Sequence, residues 1–450
     1  MSGDLAGRVP VVTWPDGRAP AGLAVAPRAA NPPGTFPVPA GRGRWRLTLH
    51  NRQWIGTTST ASTLIAELVD ARGRRLDQAW NTAAQLTFTL NEDSPAAKMI
   101  VELTQDVMAW RWDDQTGADV CVFRGIITQG EDELTEQSAT VTFTCHDYLK
   151  MFERRLVTST IALTGFDQDT LANVLIGQAT SPQASNGTSF LPGGFLPVYS
   201  VAVNPAGASR GASGILRDRT YPPQTVIYEA LDDLARVISG FDYDILPAAG
   251  RPPVSPWPYL DALRIFYPYQ GILRSSPALV YGSTVSGVTR TVNSGDYGNY
   301  WRVLGNNGSS DPAAPQLFSE AWNADSNDIT RIPIGTWMTG DNAADVSIQS
   351  TLDQQAQGDL ALAGLVVPSY SLTLRPGAYS WGNPNMGDVV PLVIQKGRLN
   401  VSTTVRVLGI SYDIGDDGEE DVSLTVGRPQ PSFLKLITAA DRDVDALTRR

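Results

Sequence analysis

Over many short stretches of this chain apolar and polar residues alternate with a period of two, the pattern of strands that bury one face. QLTFTLN is a clear case, with Leu86, Phe88 and Leu90 between polar neighbours. WRLTLHN from Trp45 and STLIAELVD precede it, with a turn expected at ARGRRL. After it, Val120, Val122 and the run FRGII make one strand and Val141, Phe143 and Cys145 the next, joined by the polar loop TQGEDELTEQS. Residues 45–160 therefore read as an antiparallel, barrel-like β domain.

Between 161 and 275 the period lengthens. QDTLANVLIGQ places Leu171, Val174 and Leu175 at helical spacing behind Asp169 as an N-cap. TVIYEALDDLARVISG carries Ile227, Leu231, Leu234 and Ile238 on one stripe, with Gly240 where a C-cap belongs. The stretch from Ser181 to Arg219 is rich in Gly, Ser, Asn and Pro and reads as loops. FDYDILPAAG resumes as a strand, so the region is expected to be a small α/β insertion domain.

From 276 to 430 the strand pattern returns in ALVYG, YWRVLGNN, YSLTLRPG and MGDVVPLVI. It ends in a hairpin, TTVRVLGISYDI and DVSLTVG joined at GDDGEE, in which Val422, Leu424 and Val426 alternate. One helix interrupts it, where Ile348, Leu352, Ala356 and Leu360 share a face behind Asp345. This is the expected second barrel-like domain. The Pro-, Gly- and Ala-rich residues 1–44 read as an extended arm or a disordered one, with Val11, Val12 and Trp14 as anchors, and residues 431–450 as a short helix or a docking peptide.

Composition narrows the classes. The net charge is −11 over 450 residues, which disfavours phosphate backbones and anionic membranes as primary partners. No apolar run reaches the roughly 20 residues of a membrane-spanning helix, and the first residues lack the layout of a secretory signal. Cys121 and Cys145 fall nearly opposite each other if residues 130 to 137 form a hairpin loop, so a disulfide is conceivable; two buried free thiols are the simpler reading.

Catalytic patterns are missing. His50 and His146 stand on predicted strands without a Cys or His at ligand spacing, and His146 and Asp147, as strand neighbours, point to opposite faces. There is no nucleophile elbow, P-loop or H-E-x-x-H. GASRGASG at 207–214 reads as a flexible loop and GDDGEED at 415–421 as a solvated turn. LNEDSPAA likewise reads as a turn. Trp110 with Trp112, and Tyr297, Tyr300 and Trp301, could line a sugar-binding groove or serve as packing. The expectation is a protein without enzymatic activity and without catalytic, cofactor-binding or metal-binding residues.

Three segments carry a resemblance. The first is ELVDARGRRLDQAWNTAAQLTFTLNEDSPAA. The second is FRGIITQGEDELTEQSATVTFTCHDYLKMFERR, with Phe123, Gly125, Asp147, Leu149 and Arg154. The third runs from the helix at 346 through MGDVVPLVI, with Gly387 and Asp388, to the closing hairpin. In this order they resemble the hub proteins of bacteriophage tail tips and baseplates, the minor tail proteins of long-tailed phages. The resemblance implies a mainly β fold with an α+β insertion: two barrel-like hub domains plus a small α/β domain. It further implies a structural subunit of the virion tail tip, assembled in the bacterial cytoplasm. That subunit would be a homotrimer meeting a distal tail protein, a tape-measure protein and spike or fibre proteins, with genomic DNA only in transit and no cofactor. A hexameric distal tail adaptor and a carbohydrate-binding receptor protein are the competing readings.

Overall fold

A computed structural model describes residues 44–427 apart from 56–58, 115, 137, 181–195, 197, 237–239, 248–260, 293–297, 306–315, 323–337, 344–348, 350–351, 354–355, 358, 361–367, 380 and 417–418. The expected arm, the C-terminal segment, Ile238, Tyr297, Asp345 and Ile348 lie outside the described residues.

The first β-rich stretch holds β1 (Trp45–Ile55), β2 (Ser59–Glu67), β3 (Arg72–Ala79), β4 (Gln85–Asn91), the short helix α1 (Pro95–Met99), β5 (Gln105–Asp113), β6 (Ala118–Leu134), β7 (Ala139–His146) and α2 (Leu149–Phe152). Leu86, Phe88 and Leu90 are buried as the alternation predicts. Two local expectations are corrected. ARGRRL is mostly strand: the turn falls at Val69–Asp70, and Gly73 at φ +54 absorbs a register shift between Arg72 and Arg75. The supposed loop after FRGII is largely a continuation of β6, which runs out as an exposed strand to Leu134 because β7 pairs with it that far.

The insertion contains β8 (Ile161–Asp167), α3 (Gln168–Thr180), β9 (Val198–Val203), β10 (Leu216–Tyr221), α4 (Ile227–Arg236), β11 (Asp242–Leu246) and β12 (Asp261–Phe266). β12 runs parallel to β9 and antiparallel to β11, while β8 and β10 form a separate antiparallel pair. β9 and β10 occupy a stretch expected to be loop. Leu171 and Leu175 of α3 and Ile227, Leu231 and Leu234 of α4 pack with Leu263 and Ile265 and with Tyr148, Leu149 and Phe152 around α2 in one core. The N-terminus of α3 is served by Asp167, whose carboxylate accepts from the Asp169 amide at 3.0 Å. Asp169, the expected cap, instead pairs with Arg210.

The remainder holds β13 (Leu279–Val280), β14 (Val285–Thr291), β15 (Tyr300–Gly305), β16 (Phe318–Trp322), β17 (Met338–Ala343), β18 (Ser369–Leu374), β19 (Val389–Lys396), β20 (Leu399–Ile414) and β21 (Glu420–Gly427). The main sheet has 13 strands, in the order β14-β18-β21-β20-β3-β4-β7-β6-β5-β1-β2, with β19 on β20 and β13 on β19. The first half of β20 pairs with β19, and its second half, Gly409 to Ile414, pairs with Ala79 to Arg74 of β3. The two β-rich stretches of the sequence thus meet within one sheet.

Two compact units result. The first comprises residues to Val288 together with Leu372–Thr425; the second is centred on Thr289–Ser371. The stretch 276–430 is therefore divided: its two ends join the first unit through strand pairing. By itself, the second unit has a three-stranded sheet, β15 antiparallel to β16 and parallel to β17, with Leu352 and Ala356 of a helical segment packed on Val303 and Ala321. The fold class is mainly β with an α/β insertion.

Candidate functional site

Phe123, Gly125, Asp147 and Leu149 of the second resembling segment lie where β6 packs beside the end of β7 and the start of α2. A side chain on Gly125 would put its Cβ 2.3 Å from the His146 carbonyl oxygen and 2.5 Å from Phe123 Cζ, so only glycine permits the approach of β6 to β7. Asp147, the residue after β7, accepts from the Ala84 and Leu149 amides at 2.9 Å each. It ties the turn before β4 to the first turn of α2. Burial pushes its carboxyl up to about 7 against those two donors.

Between these residues, Arg124 lies in the interior, 3.1 Å from Asp106 of β5 and 3.3 Å from Asp261 at the start of β12. Tyr148 donates its hydroxyl to Asp106 at 2.6 Å. Burial disfavours the charge on Arg124, yet Tyr148, Asp261 and Asp106 hold its pKa above the ordinary value. The cluster attaches the insertion to the β5–β6 hairpin.

A second clamp uses the Gly387-Asp388 pair. Gly271 at φ +88 and Gly387 at φ +80 lie back to back: a Cβ on Gly271 would stand 2.1 Å from the Gly387 carbonyl carbon, and one on Gly387 2.4 Å from the Gln270 carbonyl oxygen. The buried Asp388 accepts from the amides of Ile272 at 2.9 Å and Asn385 at 2.8 Å and from Arg274 Nε at 2.6 Å. Arg406 of β20 binds Asp242 at the start of β11 and the carbonyls of Gly387 and Gln270. Asp242 and Asp261 stand at opposite ends of the β11–β12 ladder, so each end of that ladder is fixed to the main sheet by one arginine.

A third cluster marks where residue 44 enters the fold. Trp45 donates its indole N–H to Glu420 at 2.8 Å, and Arg111 of β5 pairs with the same carboxylate and lies 4.6 Å below the ring of Trp381. Trp45, Trp381 and Tyr412 pack around it in edge-on and tilted pairs, and the Tyr379 and Tyr412 hydroxyls are 2.9 Å apart.

The other residues singled out by sequence fall as follows. His146 bonds Thr128 Oγ1 through Nδ1, and the Asp147 carboxylate is engaged elsewhere, so no dyad forms. Burial lowers the pKa of both His50 and His146 to about 4. Cys121 and Cys145 are free and buried; Cys145 pairs with Ile127 and Cys121 with Trp110, because the long β6 moves the hairpin register. Trp110 and Trp112 are each only 8% exposed, and Trp110 donates to Thr48, so they are packing and not a platform. The GASRGASG segment is held: Arg210 reaches Asp169 at 2.8 Å, and Ser213 and Gly214 donate to Asp167. Neighbours on β15, Trp301 packs inward while Tyr300 stands opposite Trp322 of β16, in a cross-strand row with Arg302–Glu320 and Leu304–Phe318. Arg302 covers the Phe318 ring at 4.3 Å, and Trp322 is 60% exposed. Phe318 and Trp322 drew no attention in the sequence, since only the β15–β16 register brings them beside Tyr300. Among the described residues no helix is long and apolar enough to cross a membrane.

No family model and no characterised relative matches the chain by sequence. Solved structures match it in fold. A prophage tail protein, gp18, of Listeria monocytogenes EGD-e superposes with a TM-score of 0.50 at 8% identity, over 89% of this chain and 99% of that one. The 43 kDa tail protein of prophage MuSo2 from Shewanella oneidensis gives 0.49 at 9% identity over 86% and 98%, and a tail protein from Neisseria meningitidis MC58 gives 0.48 at 10% identity over 85% and 96%. The fold is one found in phage tail proteins, as the resemblance of the three segments implied.

Proposed function

We propose that this chain is a structural, non-enzymatic subunit of a phage tail tip, a baseplate hub ring that closes the tail tube. In this reading it joins the tube to the spike or fibre proteins and the tape-measure protein, and opens a path for DNA at infection. The observation that carries the reading is the fold shared along nearly the whole length of the Listeria tail protein. The clamps support it: three buried clusters in which arginine binds carboxylate spend polar side chains on fixing the first unit. A trimer of this chain would offer threefold symmetry to the partners below. A label on this subunit in isolated tails tests the reading: signal at the tube's distal end is expected, and signal along the shaft overturns it. Mass of the purified assembly separates a trimer from the hexamer of a distal adaptor.

The row of Tyr300, Trp322 and Phe318 favours a second reading, a glycan-binding receptor element, because the exposed Trp322 and Phe318 rings and the half-buried Tyr300, beside Arg302 and Glu320, offer stacking and hydrogen bonding together. Glycan-array binding that is lost in Trp322→Ala would support it. An array without signal would remove it.

A further inference from the structure

Two exposed hairpins of the first unit carry opposite charge. The β6–β7 hairpin ends in Glu131, Asp132, Glu133 and Glu136, all exposed, and beside it lie Glu92, Asp93 and Glu102 with one basic residue, Lys98. Val101, Leu103 and Leu134 project among these charges, each more than half exposed. Leu103, at φ 62, donates its backbone N–H to the Ile127 carbonyl, so the loop that carries it is tied to β6. This end is acidic at its margin and apolar within.

The registers lead from this hairpin to the second one. His146 at the base of β7 pairs with Gln85, Gln85 with Asp77, and Ala79 with Gly409 of β20. From Gly409 the chain runs back to the β19–β20 turn, which carries Lys396 and Arg398. Arg375 joins it, because its amide bonds the Thr284 carbonyl and residues 280–281 flank β19. Residues 275–288, 372–387 and 389–412, which build this corner, contain no Asp or Glu. In a chain of net charge −11 the corner is a basic surface with exposed Arg375, Lys396 and Arg398.

We infer that the acidic hairpin end of one copy docks on the basic Arg375–Lys396–Arg398 corner of the next. The two surfaces are complementary in sign and lie on different hairpins of the same unit. Like ends repel, so a two-fold contact between identical ends is disfavoured and a head-to-tail one is favoured; repeated, it makes a ring where the rotation between copies closes and a filament where it does not. The inference supplies the contact between copies in the tail-tip ring and takes from that reading only the ring's closure. The contact itself is tested without it.

The test is charge reversal on the full chain. Arg375→Glu, Lys396→Glu and Arg398→Glu together make a chain with two acidic ends; Glu131→Lys, Glu133→Lys and Glu136→Lys make one with two basic ends. All six side chains are exposed, and unchanged melting of each variant checks the fold. Sedimentation should show the unmodified chain associating at low salt, with affinity weakened roughly tenfold or more at 0.5 M salt. Each variant alone should stay monomeric, and an equimolar mixture should associate again. A monomeric unmodified chain, variants that associate as the unmodified chain does, or a mixture that stays monomeric each overturns the inference. Association that survives charge reversal would leave the tail-tip reading untouched, since the location of the labelled subunit decides that separately.

Discussion

Arg124 and Asp261, 137 residues apart in the chain, face each other at 3.3 Å with side chains 1% and 0% exposed. The pair is the shortest route by which the α/β insertion grips the β5–β6 hairpin. Removing one partner strands a charge in the interior. Arg124→Ala should cost about 3–5 kcal/mol in denaturant unfolding. Arg124→Lys should recover only part of that, because one ammonium does not reproduce a guanidinium reaching Asp106 and Asp261 together.

The glycines separate two costs. Gly125→Ala and Gly271→Ala drive a Cβ into backbone at 2.3 and 2.1 Å, and each should lower stability by about 3 kcal/mol or more or prevent folding. Gly282 has φ +87 but nothing within 4 Å of its Cβ position. Gly282→Ala should cost only about 1 kcal/mol, from backbone conformation alone. Equal losses at all three positions would contradict the close approaches described.

Acid stability follows from three groups. His50 and His146 titrate near 4 in the fold against an ordinary 6.5, so between those values the unfolded chain binds two protons that the native one does not, and stability falls as pH falls. Asp147 titrates near 7 against 3.8; it binds its proton in the fold first and opposes the histidines by one. The net from the three is a loss of about 1.4 kcal/mol per pH unit through the middle of that window. Unfolding free energies between pH 4 and 6.5 should show this slope become steeper in Asp147→Asn. In the double variant His50→Gln, His146→Gln its sign should reverse.

Both thiols are buried, and burial pushes Cys121 up to about 12 and Cys145 higher still. A thiol reagent should leave the native chain unlabelled and modify two sites once the chain is unfolded. A mass two daltons short, the sign of a disulfide, would contradict the register that sets Cys121 beside Trp110.

Much of the sheet was legible because the period-two stretches around Leu86, Phe143 and Leu424 bury one face, and burial is what alternation reports. The β3 strand was misread because Arg72, Arg74 and Arg75 look like a turn; its pairing with β20, more than 300 residues away, overrides local preference. The motif residues Gly125, Asp147, Gly387 and Asp388 were visible as a pattern, while their roles depend on approaches between distant backbones that spacing does not encode. Trp110 and Trp112 share a strand face, yet alternation does not say whether that face is covered. The charge pattern was hidden for the same reason: −11 is a sum, and only the strand pairing tells that Glu133 and Lys396 sit on two different hairpins.

The pairing of β3 with β20 also sets a clock on synthesis. Ala79 leaves the ribosome 330 residues before its partner Gly409, a delay of roughly 20 to 60 s at bacterial elongation rates. During that interval one edge of β3 has no native neighbour to pair with, and a bare strand edge in a crowded cytoplasm invites the wrong one. The first half of the sheet must therefore be shielded by a chaperone or stay partly unformed until the C-terminal hairpin arrives. A nascent chain stalled before residue 399 should bind holdases that the finished chain does not.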